Sequence, residues 1–368
     1  MMPERRIKVC HVLTDTNIGG AGKALAALIS AADRERFAFS VVLPQGSAVR
    51  GLLAGMGVAL TEAPYLSDRS FDARAVPALS GIFRKIRPDI VHTHSAFSAR
   101  LAARLCGVPA VIMTHHCATA AKIPLGGILQ PLTATRAIAV SRGAADALAA
   151  SGMPRGRITV IQNGALPLRR PSDDEKREIR QKLGIPDGAF TVGIFGRLEA
   201  CKRHDVFIRA AAICAEKAPD AHFIIVGDGT QRRELEHMAA DLSETQRLHF
   251  CGFCEDVAPY MAICAANVNT TAAGEASSMA IAEGMSLGVP PIMCGTADNR
   301  RAVSDCGLLT RPGSAGSTAA AILRLMRDSA LRDALSAAAL KHYTEHNTPK
   351  MCADATQTVY LDAVGSAF

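Results

Sequence analysis

The chain has 368 residues, of which 49% are hydrophobic and 20% charged, with only 4% aromatic and no Trp. That length exceeds one typical domain core and predicts two domains, and the apolar content excludes a disordered chain. Lys and Arg outnumber Asp and Glu by 41 to 34, a net charge of +7, which suits anionic ligands or an anionic membrane surface but is too sparse for a nucleic-acid face, so no nucleic-acid partner is expected.

Residues 1–6 are charged and lead into a strand-length apolar run without the pattern of a signal peptide. No segment reaches the roughly 18 apolar residues of a membrane span. A cytoplasmic location is expected, with the 11 cysteines held as reduced thiols. Residues 7–14 read as a strand, 15–22 as a glycine-rich turn and 23–32 as a helix. Further strand-like runs follow at 40–43, 90–92, 110–113, 137–140 and 159–161, separated by stretches of helical periodicity. A Pro-rich, charged stretch at 166–187 reads as an inter-domain connection. The second half repeats the plan, with strands at 190–195, 222–226, 247–250, 266–269 and 291–294. This alternation predicts an α/β chain of parallel sheets with helices on both faces, divided into a domain at 1–165, a linker at 166–187, a domain at 188–345 and a C-terminal helix at 346–368.

Several residue groups carry candidate chemistry. Gly19 and Gly20 allow the first turn to approach a ligand closely where a Cβ would intrude, although the G-x-G-x-x-G pattern of dinucleotide binders is absent. Segment 274–290, GEASSMAIAEGMSLGVP, holds Glu275 and Glu283 with seven residues between them. If Ser277 or Ser278 caps the following helix, Glu275 lies in the preceding loop, Glu283 points from the second turn, and the free amides around Ser277, Ser278 and Met279 lie between. Such a helix start can hold a diphosphate while the carboxylates accept hydrogen bonds from sugar and ribose hydroxyls. The same pair also reads as two solvated glutamates on a helix face. Arg197 and Lys202 offer phosphate oxygens a planar fork and a compact charge, or are ordinary surface cations.

Other signals point elsewhere. His92 and His94, together with His115 and His116, have the spacing of a zinc site, but no carboxylate or Cys cluster accompanies them and no metal is expected. Cys251 and Cys254 form half of a redox or zinc motif whose second pair is missing. Arg84, Lys85 and Arg87 make a basic cluster, either a solvated helix end or a contact for anionic lipid headgroups.

Segment 274–290 resembles the Glu-x7-Glu motif of glycosyltransferase family 4. Gly196-Arg-Leu-Glu-Ala-Cys-Lys202, Val226-Gly-Asp-Gly229, Phe250 to Gly252 and Tyr260 are similar to other family segments. So are Ile18-Gly-Gly-Ala21, Pro88-Asp-Ile-Val-His92, Val140-Ser141 and Ile161-Gln-Asn-Gly164, all in the family's order. The resemblance implies a GT-B fold, two Rossmann-like, doubly wound parallel-sheet domains facing across a cleft, with the last helix crossing back to the first domain. It implies a retaining, metal-independent transfer of a hexose-type sugar from a nucleotide-sugar donor, with no cofactor. Arg197 and Lys202 would bind the diphosphate, Glu275 the transferred sugar and Glu283 the ribose. A histidine is placed near the anomeric centre, and the offset from Thr114 favours His116 over His115. The first donor expectation is a UDP-sugar and the second GDP-mannose; the acceptor expectation is a glycan or lipid-linked glycan of cell-surface polysaccharide synthesis. Three departures stand out: Ala276, Gly284, and residues 295–301, where the family's paired glycines and later glutamate are missing. Two alternatives are a sugar-nucleotide-binding partner without activity and a sugar-nucleotide epimerase.

Overall fold

The computed structural model describes residues 5–117, 126–244, 247–272, 277–303 and 305–365. The chain forms two compact units, 1–166 with 347–368, and 167–346.

The first unit is built on seven parallel strands: β1 (Ile7–Leu13), β2 (Phe37–Pro44), β3 (Ala59–Ala63), β4 (Ile90–His94), β5 (Ala110–His115), β6 (Arg136–Ala139) and β7 (Ile158–Val160). Their order is β3-β2-β1-β4-β5-β6-β7. Successive side chains of a strand face opposite sides of the sheet, and β1 shows what this does to the core. Val9 and Leu13 join one apolar cluster with Leu25, Ile29 and Tyr360, while Cys10 and Val12 join a second with Leu79, Phe83 and Ala99. Helices Gly20–Ala31 and Pro349–Gly365 therefore cover one face, and Ala75–Ile86 and Phe97–Leu105 the other. Each fully buried large side chain, such as Phe37 or Ile29, contributes roughly 2 kcal/mol. The C-terminal helix is seated at its start by Gly164, where a Cβ would lie 2.8 Å from the Thr348 carbonyl. The Ala165 amide donates to the Asn347 carbonyl at 2.9 Å.

The second unit has six parallel strands: β8 (Thr191–Phe195), β9 (His222–Val226), β10 (Leu248–Gly252), β11 (Ala266–Asn269), β12 (Pro291–Cys294) and β13 (Leu308–Thr310), in the order β10-β9-β8-β11-β12-β13. Half of the stretch 166–187, expected as a linker, is helix Asp173–Leu183, capped at its start by a reciprocal Ser172–Glu175 box and ended by Gly184 at φ 64°. The helix sends Ile179 and Leu183 against the Tyr260 and Met261 cluster of the second unit. Strands β3 and β13 were absent from the sequence reading; both are outermost in their sheets, short and only partly buried.

Candidate functional site

In each sheet the strand order reverses beside the first strand: β1 lies between β2 and β4, and β8 between β9 and β11. Loops leaving the carboxyl ends of such a pair diverge, and the crevice between them is where open α/β sheets bind ligands. Gly196 to Lys202 follow β8, and the start of helix Met279–Ser286 follows β11.

The loop after β8 is held by backbone contact with the loop after β9. The Gly196 amide donates to the Val226 carbonyl and the Leu198 amide to the Asp228 carbonyl, both at 3.0 Å. This approach demands glycine. Gly227 sits at φ 142°, and a Cβ there would lie 1.9 Å from the Gly196 carbonyl; a Cβ at Gly229 would lie 2.6 Å from that of Leu198. Glu199 accepts from the Thr230 hydroxyl at 2.8 Å, and this bond and the Thr230 amide hold its carboxyl below the usual range, with a smaller effect from Arg197. Asp205 is likewise pushed down, first by its bond to Arg203 at 2.8 Å. These acids are engaged by neighbours, while Arg197 is exposed and Lys202 partly so.

The loop after β11 ties this segment to the next helix. Thr270 Oγ1 lies 2.8 Å from the carbonyls of both Lys202 and Arg203, and the adjacent Asn269 donates from Nδ2 to Ser278 Oγ at 3.0 Å. Ser278 occupies the N-cap position of helix Met279–Ser286, but its side chain makes no capping bond, since Asn269 engages it instead. Ser277 is partly exposed, Met279 is buried, and Glu283, on the second turn, is 7% exposed. Glu275 lies outside the described residues. Two consecutive residues at the end of β11 thus hold both the Lys202 loop and the helix start. The arrangement combines protein cations with a helix N-terminus, which suits a diphosphate.

In the first unit, Gly19 is the N-cap of helix Gly20–Ala31 with φ −114°, and a Cβ there would meet only Asp15 Oδ1 at 3.7 Å. The backbone conformation does not itself require glycine at that position. The preceding turn is braced by Asp68, which accepts from the Thr16 amide at 3.1 Å and hydroxyl at 2.7 Å.

The histidines group differently from the sequence reading. His11, His92 and His94 bring ring nitrogens within 4.8 Å of one another, a spacing that could hold a metal ion, and His11 was not among the residues singled out. All six of their ring nitrogens have hydrogen-bond contacts. His92 touches the Tyr360 hydroxyl and Thr114 Oγ1, both at 2.7 Å; His11 touches Tyr360 at 3.3 Å and His94 at 3.2 Å; His94 reaches His116 at 3.0 Å. His94 and His116 also stack at 5.3 Å. Burial holds His11, His92 and His94 well below the ordinary imidazole value and His116 at about 4, with neighbouring imidazoles adding to the effect. His116 is the partly exposed end of this group, and His115 falls on the opposite face of the strand from Thr114.

Comparison with known proteins decides the family. Residues 18–165 match the model described as Glycosyltransferase Family 4, and residues 189–328 the model described as Glycosyl transferases group 1. The chain belongs to glycosyltransferase family 4. As a member it is an enzyme that transfers a sugar from a nucleotide-sugar donor. The D-inositol 3-phosphate glycosyltransferase of Stackebrandtia nassauensis is 28% identical over 307 residues, covering 75% of this chain and 68% of that protein. The UDP-Gal:alpha-D-GlcNAc-diphosphoundecaprenol alpha-1,3-galactosyltransferase of Escherichia coli is 27% identical, covering 60% of this chain and 62% of that one. Among solved structures, Anabaena HepE in complex with UDP-glucose superposes with a TM-score of 0.84 at 22% identity, over 97% of this chain and all of that one. This shows the GT-B fold.

Two departures from the family pattern have local causes in this glycosyltransferase. A Cβ on Gly284 would lie 2.9 Å from Asn267 Nδ2, which donates to the Ala280 carbonyl at 2.8 Å, so the Asn on β11 occupies the room that a larger residue on the helix would need. In the altered 295–301 stretch, Asn299 is buried and donates to the Cys294 carbonyl at 2.7 Å, and a Cβ on Gly295 would meet the Thr310 carbonyl at 2.9 Å. Cys251 and Cys254 are free thiols, and burial raises Cys251 to about 12.

Proposed function

We propose that this glycosyltransferase is a retaining, metal-independent hexosyltransferase that uses a UDP-sugar and delivers the sugar to a hydroxyl of a glycan or lipid-linked glycan. The observation that carries the reading is the bracing of the Lys202 loop and the start of helix Met279–Ser286 by Thr270 and Asn269 at the reversal of the second sheet. Arg197, Lys202 and the amides from Ser277 to Met279 receive the diphosphate, Glu283 the ribose hydroxyls and Glu275 the hydroxyls of the transferred sugar. In the first unit, His116, Gly19 and Gly20 are the residues assigned to the donor sugar.

In the reaction, the bond from the anomeric carbon to the β-phosphate oxygen breaks and a bond to the acceptor oxygen forms on the same face of the sugar. The acceptor proton passes to the departing phosphate, so no protein base is needed. Negative charge grows on the diphosphate as that bond lengthens, and fixed cations and amide dipoles stabilise it without reorganising. The choice of UDP follows the complex of the Anabaena neighbour and the name of the E. coli relative; that relative's name also motivates the lipid-linked acceptor. GDP-mannose is the second donor to test. A cytoplasmic site of action, with Arg84, Lys85 and Arg87 against an anionic membrane surface, completes the proposal; among the described residues no helix is long and apolar enough to cross a membrane.

The test is a thermal-stabilisation screen of nucleotide sugars in the presence of a chelator, followed by product analysis. A donor at about 100 times its dissociation constant adds roughly 2.7 kcal/mol to the folded state. Stabilisation by UDP-sugars and retention of anomeric configuration in the product are expected. Activity that vanishes with the chelator, or an inverted product, overturns the reading.

A further inference from the structure

The hydrogen-bonded imidazoles of the first unit and Tyr360 join three elements far apart in sequence, β1, β4 and the C-terminal helix, and the group ends at His116. Its connectivity is a single line. Thr114 Oγ1 meets His92 Nε2; His92 Nδ1 meets the Tyr360 hydroxyl; that hydroxyl meets His11 Nε2; His11 Nδ1 meets His94 Nε2; and His94 Nδ1 meets His116 Nε2. His11, His92, His94 and Tyr360 are at most 4% exposed, so water does not interrupt the line.

A neutral imidazole carries one N–H and one lone pair. Burial favours the neutral form in every ring of this line. Each ring therefore passes its polarity to the next, and the line has only two self-consistent orders. Tyr360 distinguishes them, because its hydroxyl has one proton and two nitrogen neighbours. O–H donors make shorter bonds than N–H donors, and the hydroxyl is 2.7 Å from His92 but 3.3 Å from His11. Tyr360 accordingly donates to His92 Nδ1 and accepts from His11 Nε2. His92 then donates from Nε2 to Thr114, His94 donates from Nε2 to His11, and His116 donates from Nε2 to His94.

We propose that Tyr360 of the C-terminal helix is a positioning residue that, through His11 and His94, fixes His116 as its Nε2–H tautomer and leaves the Nδ1 lone pair to accept a hydrogen bond from a hydroxyl of the donor sugar. The second half of this statement rests on the reading above that His116 borders the sugar; the first half does not. The sequence separation of 268 residues between His92 and Tyr360 means that the last helix, seated on Gly164, is part of the apparatus that sets the chemistry of a residue in the first half of the chain.

Tautomers are read directly from ring-nitrogen chemical shifts of protein labelled with 15N-histidine, with the His116 signals assigned by their loss in His116→Asn. Wild type is expected to show His116 as Nε2–H. Tyr360→Phe keeps the ring and removes the hydroxyl, and is expected to give a mixture of both tautomers. Thr114→Val is close in shape and removes the acceptor of His92, so the opposite order becomes the favoured one and His116 is expected to move to Nδ1–H. In both variants kcat should fall about tenfold, the size of one hydrogen bond, with the donor KM changed less than about twofold. An unchanged His116 tautomer in both folded variants overturns the proposal. Tautomers that shift as described with no change in kcat support the line as an ordering device and overturn the placement of His116 at the sugar.

Discussion

The two units share one strand order around their first strands, and they use the reversal of that order in opposite ways. In the second unit the crevice loops bring exposed or partly exposed cations, Arg197 and Lys202, to a surface built by backbone packing at Gly227 and Gly229. In the first unit the corresponding strand ends bury a line of neutral imidazoles. One scaffold thus presents exposed or partly exposed cations at one reversal and buries imidazoles at the other. The lesson is that strand order sets where a site lies, while the side chains at the strand ends set whether it stabilises charge or refuses it.

The largest expected effect that probes this contrast is that of acid. A histidine held below its unfolded value is stable in the fold above about pH 6.5, and that stability is lost as pH falls towards the folded value. The loss is roughly 1.4 kcal/mol per pH unit for each group. His11, His92, His94 and His116 in the first unit, and His204 and His249 in the second, are all held down by burial, the last three at about 4. Because the four in the first unit lie on one hydrogen-bonded line, with Tyr360 linking His92 to His11, a proton on one also breaks a bond to the next group. Hydrogen exchange at pH 7 and pH 5 should show residues 5–117 losing more protection than 167–244; equal losses would break the contrast.

Next in size, Gly227→Ala should cost at least about 3 kcal/mol in chemical denaturation, since both the positive φ and the carbonyl contact oppose a Cβ. A loss below 1 kcal/mol, on that same scale of single-site effects, would show that the two loops can part. Lys202→Ala should slow release of UDP from a UDP-sugar by at least about tenfold, or 1.4 kcal/mol, in steady-state assays. The smallest effect concerns packing beneath the site. Gly284→Ala should cost about 1 kcal/mol by displacing Asn267 from its bond to the Ala280 carbonyl. The loss should shrink when Asn267→Ala is added, as a double-mutant cycle would record.

Much of the architecture was legible in the sequence because buried parallel strands are continuous apolar runs, and the predicted 222–226, 266–269 and 291–294 coincide with β9, β11 and β12. Edge strands escape that signal: Ala59–Ala63 has a single large apolar side chain, and Leu308–Thr310 is three residues long. Helix Asp173–Leu183 was concealed by its charge, since it buries no residue fully and leans on the core through Ile179 and Leu183. The Ser172 and Glu175 pairing was the signal that could have revealed it. Motif order drew attention to Arg197, Lys202 and Glu283, but not to the bracing residues Asn269 and Thr270, which carry no motif of their own. His11 and Tyr360 were out of reach for a different reason. A lone His in a strand and a Tyr in the last helix have no sequence relation to His92, and only the β1–β4 register, which sets His11 beside His92, and the packing of the last helix bring them together.

The central claim is that the donor diphosphate is held at the reversal of the second sheet by protein cations and amides. Hydrogen exchange of the whole chain with and without saturating UDP, in the presence of a chelator, tests it most directly. Slowed exchange at the amides of 198–203 and 278–282 is the predicted result. UDP binding that leaves both segments unchanged, or that occurs only when a divalent cation is supplied, would contradict it.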